Sequence, residues 1–237
     1  MEDTMPLERV SIIEGKIPVL LVAPHGAKCD DLNTDHLAEH AAHVLKAYAV
    51  INRGWERAEA VSYFDDKADC NNFTHMQDVV KDEFLEPILR YRSRILKKHG
   101  SMFMFLLHGM ANDIRKKTGE AQLDMIVGYG AGTPPSYTCE IWRKDLFIYL
   151  LSQAGLTIWE GKAGGMMSGW TRNNMNQLFR KHYADARVQS MQIEVVRDLR
   201  NDDSMAELTA EYLATAIQDF VRYNAWGKPA GFRINQY

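Results

Sequence analysis

The 237-residue chain carries 28 Lys and Arg against 31 Asp and Glu, a formal charge of −3, and is 46% apolar and 25% charged; this composition excludes extensive disorder, and the small charge excludes the basic footprint of a nucleic-acid binder. Cys29, Cys70 and Cys139 are odd in number and sit in no short motif, which excludes a zinc-finger or disulfide scaffold and fits a reducing compartment. No signal peptide and no apolar run near about 18 residues is evident, so the default expectation is a cytoplasmic protein with no membrane or nucleic-acid partner.

Residues 1 to 16 read as a polar lead-in with an edge strand around Val10 to Ile13. Ile17 to Ala23 is a short apolar run without alternation, the mark of a fully buried strand, and it breaks at Pro24-His25-Gly26. A helix follows over Leu32 to Ala47, with Leu37, Ala41, Val44 and Leu45 on one face, and Tyr48 to Asn52 restores a strand. Gly54 to Thr74 is irregular, and loops of such length inside a compact domain are often functional. From Asp78 the steps of three and four through Val80, Phe84, Ile88, Tyr91 and Ile95 predict a helix that Lys97-Lys98-His99 and Gly100 close. Arg90, Arg92, Arg94, Lys97 and Lys98 share that helix and read as its solvated face.

Met102 to Leu107 is a second buried strand, running into His108-Gly109 and a charged loop, Asn112 to Glu120. Leu123 to Val127 is a short strand ended by the glycines at 128, 130 and 132. Without a following Lys-Ser/Thr these do not form a phosphate-binding loop. Ser136 to Gln153 is a helix with Ile141, Leu146, Phe147, Leu150 and Leu151 inward, and Leu156 to Trp159 a strand. After the glycines of 161 to 169, Asn176 to Tyr183 is a short helix, Val188 to Val196 the last strand, and Ser204 to Tyr223 the final helix, with Leu208, Tyr212, Leu213, Ile217, Phe220 and Val221 as its stripe. Strands alternate with helices throughout, and no repeat or linker divides them. The expectation is one α/β domain over residues 1–237, a three-layer α/β/α sandwich with a mostly parallel central sheet.

Ligands bind beyond the carboxyl ends of strands in such sheets. Two apolar strands end in His-Gly there, at His25 and His108, and Asp30 and Asp31 follow the first. Two imidazoles and one carboxylate leave zinc an open position, the composition of a catalytic rather than a structural site. Glu194, inside the apolar run of the last strand with Gln192 on the same face, is costly to bury without a partner or a function; it is the candidate general base and acid. Arg172, Arg143 and Arg57 are candidates to hold a substrate carboxylate, Arg143 reading better as a surface ion pair. His36, His40 and His43 read as an exposed helical face. Cys29 near His25 lacks the orienting third group of a nucleophile, and Ser168 lacks a nucleophile elbow.

Several colinear segments resemble the N-formylglutamate amidohydrolase family, whose fold is similar to that of zinc carboxypeptidases. They are Val22-Ala23-Pro24-His25-Gly26, Val50-Ile51-Asn52, Asp69-Cys70-Asn71-Asn72 against Asp-x-Asn-Arg, Leu106-Leu107-His108-Gly109-Met110, Asp124 to Tyr129, Gly164-Gly165 through Thr171-Arg172, and Met191 to Val195 against a Gln-x-Glu strand. The resemblance implies zinc held by His25, a loop carboxylate and His108, with Glu194 as base and acid and Arg172 binding the substrate carboxylate. Carboxypeptidase spacing would place the loop acid at position 28, which is Lys28, so Asp30 is favoured, with Asp31 next. Ala27 replaces a family glycine, and Asn72 replaces the family arginine, so a substrate other than formylglutamate is implied.

The expected function is therefore zinc-dependent hydrolysis of the amide bond of an N-acylated amino acid or a short peptide-like carboxylate. The alternative is a non-catalytic domain that keeps the fold and binds a small anion. A nucleotide-binding role for the glycines at 128 to 132 lacks the strand-glycine-helix fingerprint. A homo-oligomer is compatible with the sequence. All of this requires that residues 25, 108 and 194, far apart in number, converge.

Overall fold

A computed structural model describes residues 9–26, 31–56 and 66–225. Seven strands form one sheet in the order β1-β3-β2-β4-β7-β5-β6. They are β1 (Val10–Ile13), β2 (Val19–Ala23), β3 (Tyr48–Asn52), β4 (Met102–Met110), β5 (Met125–Gly128), β6 (Ile158–Glu160) and β7 (Val188–Val196). The β2–β3, β2–β4, β4–β7 and β5–β6 pairs are parallel, whereas β1–β3 and β5–β7 are antiparallel. The sheet is thus mixed but mostly parallel.

Four longer helices flank it: α1 (Thr34–Leu45), α2 (Glu86–His99), α3 (Ile141–Gln153) and α4 (Asp203–Ala225). Side chains alternate across the strands. Val19, Leu21, Ala23, Phe103, Phe105 and Leu107 join a core with α1, α3 and α4, while Leu20, Val22, Met102, Met104 and Leu106 join a second core with α2. Burial on both faces is why these strands read as unbroken apolar runs.

The helix expected from Asp78 begins as a turn, Asp78–Val80, widens into a π-helical segment, Lys81–Leu85, and continues as α2. Pro87, which has no N–H to give the preceding turn, lies just beyond the widened segment. Val80, Phe84, Ile88, Tyr91 and Ile95 are all buried, as their spacing required.

Three differences from the sequence reading have physical causes. Val44, Ile141, Leu208 and Tyr212 were placed on buried faces but are 52%, 49%, 42% and 41% exposed. In α1 and α4, which contact each other, the buried face is instead rich in alanine: Ala38, Ala41 and Ala42 against Ala206, Ala210 and Ala214. Small side chains let two helices approach closely, and the larger residues beside them fall outside the contact. Second, β4 does not stop at Leu107. It pairs with β7 from Met102↔Val188 through Met110↔Val196, so His108 lies within a strand, not in the loop after one. Third, the charged loop contains a short helix, Ile114–Thr118, held where Arg115 bonds Leu123 O at 2.9 Å and Asp198 at 2.6 Å.

Candidate metal centre

The site lies at the carboxyl ends of the neighbouring parallel strands β2, β4 and β7. Beyond Ala23 the chain is fixed against the end of β3: Asn52 Nδ2 donates to Pro24 O at 2.7 Å, and Asn52 Oδ1 accepts from the N–H groups of Gly54 and Trp55 at 3.2 and 2.8 Å. Gly26 is required by this closeness, since a Cβ there would lie 2.6 Å from both Asn52 O and Asp35 Cβ. Past the segment 27–30, Asp31 N–H bonds back to His25 O at 3.3 Å. Asp31 O in turn accepts the Thr34 hydroxyl at 2.8 Å and the Thr34 N–H at 3.0 Å. Asn33, at φ 61°, adopts the left-handed backbone that lets the turn enter α1, a conformation asparagine tolerates better than most residues. The buried Asp31 carboxylate thereby faces two imidazoles.

His108 shares a strand face with Leu106 and Met104, and its partner in register on β7 is Glu194. The His25 and His108 ring centroids are 5.0 Å apart, so the required convergence occurs. Asp31 Oδ2 lies 3.4 Å from His25 Nδ1 and 3.3 Å from His108 Nδ1. These separations are long for charge-assisted hydrogen bonds. They match the edge of a tetrahedron whose centre-to-ligand bonds are near 2.0–2.1 Å, roughly 3.3 Å. Within the described residues, His25, Asp31 and His108 are the group whose ligand atoms all lie within 4.8 Å of one another. Two neutral-nitrogen donors and one carboxylate, largely shielded from solvent, suit a borderline divalent ion. The residues present therefore fit a divalent metal ion.

Around this cluster lie groups that orient it. His25 Nε2 is 2.8 Å from Asp69 Oδ1, and Asp69 also accepts the Asn71 N–H at 2.8 Å. A carboxylate behind a ligating imidazole fixes its ring and tautomer and raises its basicity. Gln192 Nε2 donates to Glu194 Oε1 at 2.6 Å, and Gln192 Oε1 accepts from Asn174 Nδ2 at 3.2 Å. The loop of residues 69–72 is sewn to that of 173–175 by Asn173 Nδ2 to Asn72 Oδ1 at 3.0 Å and Met175 N–H to Asn71 O at 2.8 Å. Asp69, Asn71, Asn72, Asn174 and Gln192 are each less than 5% exposed, or at most 5% for Asn174.

Electrostatics follow from burial and pairing. Burial alone would lower the His25 pKa, but its contacts with Asp31 and Asp69 outweigh this and lift it well above the usual imidazole range. Burial opposes ionisation of Asp31 too, yet the two histidines hold its carboxyl far below the ordinary carboxylate range. Asp69 is likewise lowered, its burial overcome chiefly by His25. Glu194 goes the other way: burial pushes it up to about 6, with nearby Asp31 adding to the rise and the histidines opposing it. A carboxyl that gains and loses a proton near neutral pH sits beside three groups able to hold a cation.

Among the sequence candidates, His25, His108 and Glu194 come together. Asp30, Arg57 and Cys29 fall outside the described residues; Asp31, the alternative to Asp30, is the carboxylate found in the cluster. Arg172 is exposed in a turn after Gly169. Arg143 bonds Glu140 at 2.6 Å and lines a cavity with Ser101 and Gln189 at the opposite, amino ends of β4 and β7, so it belongs to the surface, away from the centre. His36, His40 and His43 border a separate shallow cavity with Asp203 and Glu207. Asp69 is a residue of this site without a strong mark in the sequence: its signal is a carboxylate two residues before Asn71 in a long irregular loop.

No family model matches the sequence, and no curated protein matches it. Its architecture, however, is shared with solved structures. Over 92% of its length it is similar to a gene product from Agrobacterium tumefaciens, with 12% identity, a TM-score of 0.59 and 97% of that chain covered. Over 92% it is similar to an N-formylglutamate amidohydrolase from Ralstonia eutropha JMP134, with 14% identity, a TM-score of 0.56 and 100% of that chain covered. A metallo-carboxypeptidase from Burkholderia cenocepacia gives 10% identity and a TM-score of 0.54, with 92% of this chain and 66% of that one covered. The fold is that of amidohydrolase-like and carboxypeptidase-like proteins. At these identities the relationship is distant, and it is one of architecture.

Proposed function

We propose that residues 1–237 form a single hydrolytic domain, a zinc-dependent amidohydrolase that cleaves an N-acylated amino acid or a short peptide-like carboxylate. The observation that carries this reading is the meeting of His25, Asp31 and His108, whose ligand atoms lie within 4.8 Å of one another with Asp31 Oδ2 at 3.4 and 3.3 Å from the two imidazole Nδ1 atoms, and with Glu194 in register beside His108. His25, Asp31 and His108 would hold the metal, and Asp69 would fix the His25 ring. When bound, zinc supplies Lewis acidity, polarising a carbonyl and acidifying water.

The remaining roles fall to this chain's own side chains. Glu194, raised to about 6 by burial, accepts a proton from the attacking water and delivers it to the leaving amine. Gln192 holds its Oε1, which leaves Oε2 to carry that proton. Arg172, exposed and without an ion-pair partner among the described residues, would meet the substrate carboxylate. Asn72, buried and bonded to Asn173, stands where the resemblance expects an arginine, so this position would bring no charge to the substrate. This favours a substrate whose acyl part or leaving group is neutral there.

The test is elemental analysis of the purified protein together with hydrolysis of a panel of N-acyl amino acids and small peptides. About one equivalent of zinc and release of free amine are expected. His108→Ala should lose stoichiometric metal, and full retention would defeat the ligand assignment. Wild-type protein that binds metal yet hydrolyses no member of the panel would favour the small-anion binding domain instead.

A further inference from the structure

We propose that Arg200 is a positioning residue for this centre: its buried guanidinium ties the turn carrying Asp31 to the strands carrying His108 and Glu194. The inference rests on reading His25, Asp31 and His108 as metal ligands.

Arg200 ends the 3-10 turn Arg197–Arg200 that follows β7, and it is only 4% exposed. Among the described residues it forms no ion pair; its bonds go to main-chain oxygens. Nε donates to Val195 O at 3.1 Å, one nitrogen to Leu32 O, and the other to Met110 O at 3.3 Å. Each acceptor stands within two residues of a site residue in sequence. Val195 follows Glu194, Leu32 follows Asp31, and Met110 is two residues past His108. The link to the turn is also returned, since Asn33 Nδ2 donates to Arg200 O at 2.9 Å. One side chain thus fixes three separate segments relative to one another, while a neighbouring asparagine clasps its backbone.

A buried guanidinium carries a desolvation penalty that carbonyl acceptors only partly offset. An apolar side chain would fill the same space without that cost, so the cation has a use beyond packing. The charges of Asp31 and Glu194 favour it electrostatically, and the fork of five N–H donors reaches several acceptors from one rigid plane. The strand has made room for it. A Cβ at Gly109, the residue after His108, would lie 2.1 Å from one guanidinium nitrogen of Arg200 and 2.3 Å from its Cζ. Because Gly109 has no left-handed φ, alanine would suit the backbone there and would act by displacing Arg200.

The experiment measures Zn2+ affinity by competition with a chromogenic chelator, the visible absorption of the Co2+-loaded protein, and amide exchange of metal-free protein at Thr34 and Leu37, with folding checked by denaturant melts. Losing a group that orients ligands typically weakens metal binding about 10–100-fold. That loss is expected for Arg200→Met and equally for Arg200→Lys, because an ammonium keeps the charge but cannot span the three carbonyls. The Co2+ band should shift, and exchange at Thr34 and Leu37 should quicken. Gly109→Ala should reproduce the effect, and Gly109→Ala/Arg200→Met should be no worse than either alone.

Asn33→Gly removes only the return bond and keeps the left-handed backbone accessible. It should give a smaller loss in the same direction, and it decides the matter if the Arg200 variants do not fold. Wild-type affinity and spectrum in a folded Arg200→Lys, or in Asn33→Gly, overturn the inference. A wild-type protein that takes up neither Zn2+ nor Co2+ overturns the metal reading itself, and with it this one.

Discussion

Glu194 carries the proposed proton transfer because it is a carboxyl surrounded by apolar strand and held by one amide. Glu194→Gln keeps the shape and loses the proton-accepting oxygen. Turnover of any hydrolysed substrate should fall at least about 100-fold, the scale of general acid–base catalysis, while bound zinc stays near one equivalent by elemental analysis. Unchanged activity would remove Glu194 from the mechanism. His25 makes a second prediction at the same scale. Its pKa lies well above the usual imidazole range without metal, so at neutral pH it holds a proton that a cation must displace. Apparent Zn2+ affinity should therefore rise with pH, approaching tenfold per unit below the His25 pKa, and binding should release protons. Calorimetry in two buffers of different ionisation enthalpy measures that release; equal heats in both would contradict it.

Much of the centre was legible because its chemistry interrupts apolar strands. His25, His108 and Glu194 each stand out against uninterrupted hydrophobic neighbours, where a polar side chain has to be accounted for. That Asp31 would join the two imidazoles was not legible: its place depends on the turn into α1, including the left-handed Asn33, and the adjacent acids at 30 and 31 look alike in sequence. Arg200 was hidden for another reason. Arginines at 197 and 200 look alike in sequence, and only the carbonyls they meet distinguish a solvated cation from a buried one.

At the level of elements, Asp185 ties α2 to the segment that leads into β7. It bonds Arg92 of α2 and also Arg187 just before β7, with Nε of Arg187 at 2.9 Å from Oδ1. Those hydrogen bonds, Arg187 first, lower its pKa to about 2 against burial. A carboxyl depressed on folding stabilises the protein above its unfolded value, near 3.8, and loses that contribution as pH falls toward 2. The full contribution is about 2 kcal/mol. Asp185→Asn should lower the unfolding free energy at pH 7 by about that amount in urea titrations. It should also flatten the decline between pH 4 and 2; an unchanged acid slope would deny Asp185 this role.

The buried strands β2 and β4 could be read from patterning, since their side chains are nearly all apolar; the order of the strands could not, because an apolar run does not name its neighbour. The helix faces could be read less well. Val44 and Leu208 match an apolar period, but helices that meet through alanine bury their smallest residues and leave larger ones at the margin. Periodicity reports which residues share a side, not which side a neighbouring helix will occupy.

Across the whole molecule, a metal held at the proposed centre would be coupled to folding. His25, Asp31 and His108 come from three segments brought together only when the sheet is complete, so an ion bound there favours the native state alone. Zinc at a free concentration 100 times its dissociation constant should add about 2.7 kcal/mol and raise the melting temperature by roughly 5–10 °C in scans with and without chelator. Identical melting curves would mean that no such ion is held.

The borders of the sheet have a consequence of a different kind. On one side lies β1, four residues long, and on the other β6, three residues long. Each presents so little open main chain that a foreign strand docking alongside would find few bonds to make. Among the described residues, short borders therefore leave the sheet little template for end-to-end growth into ribbons.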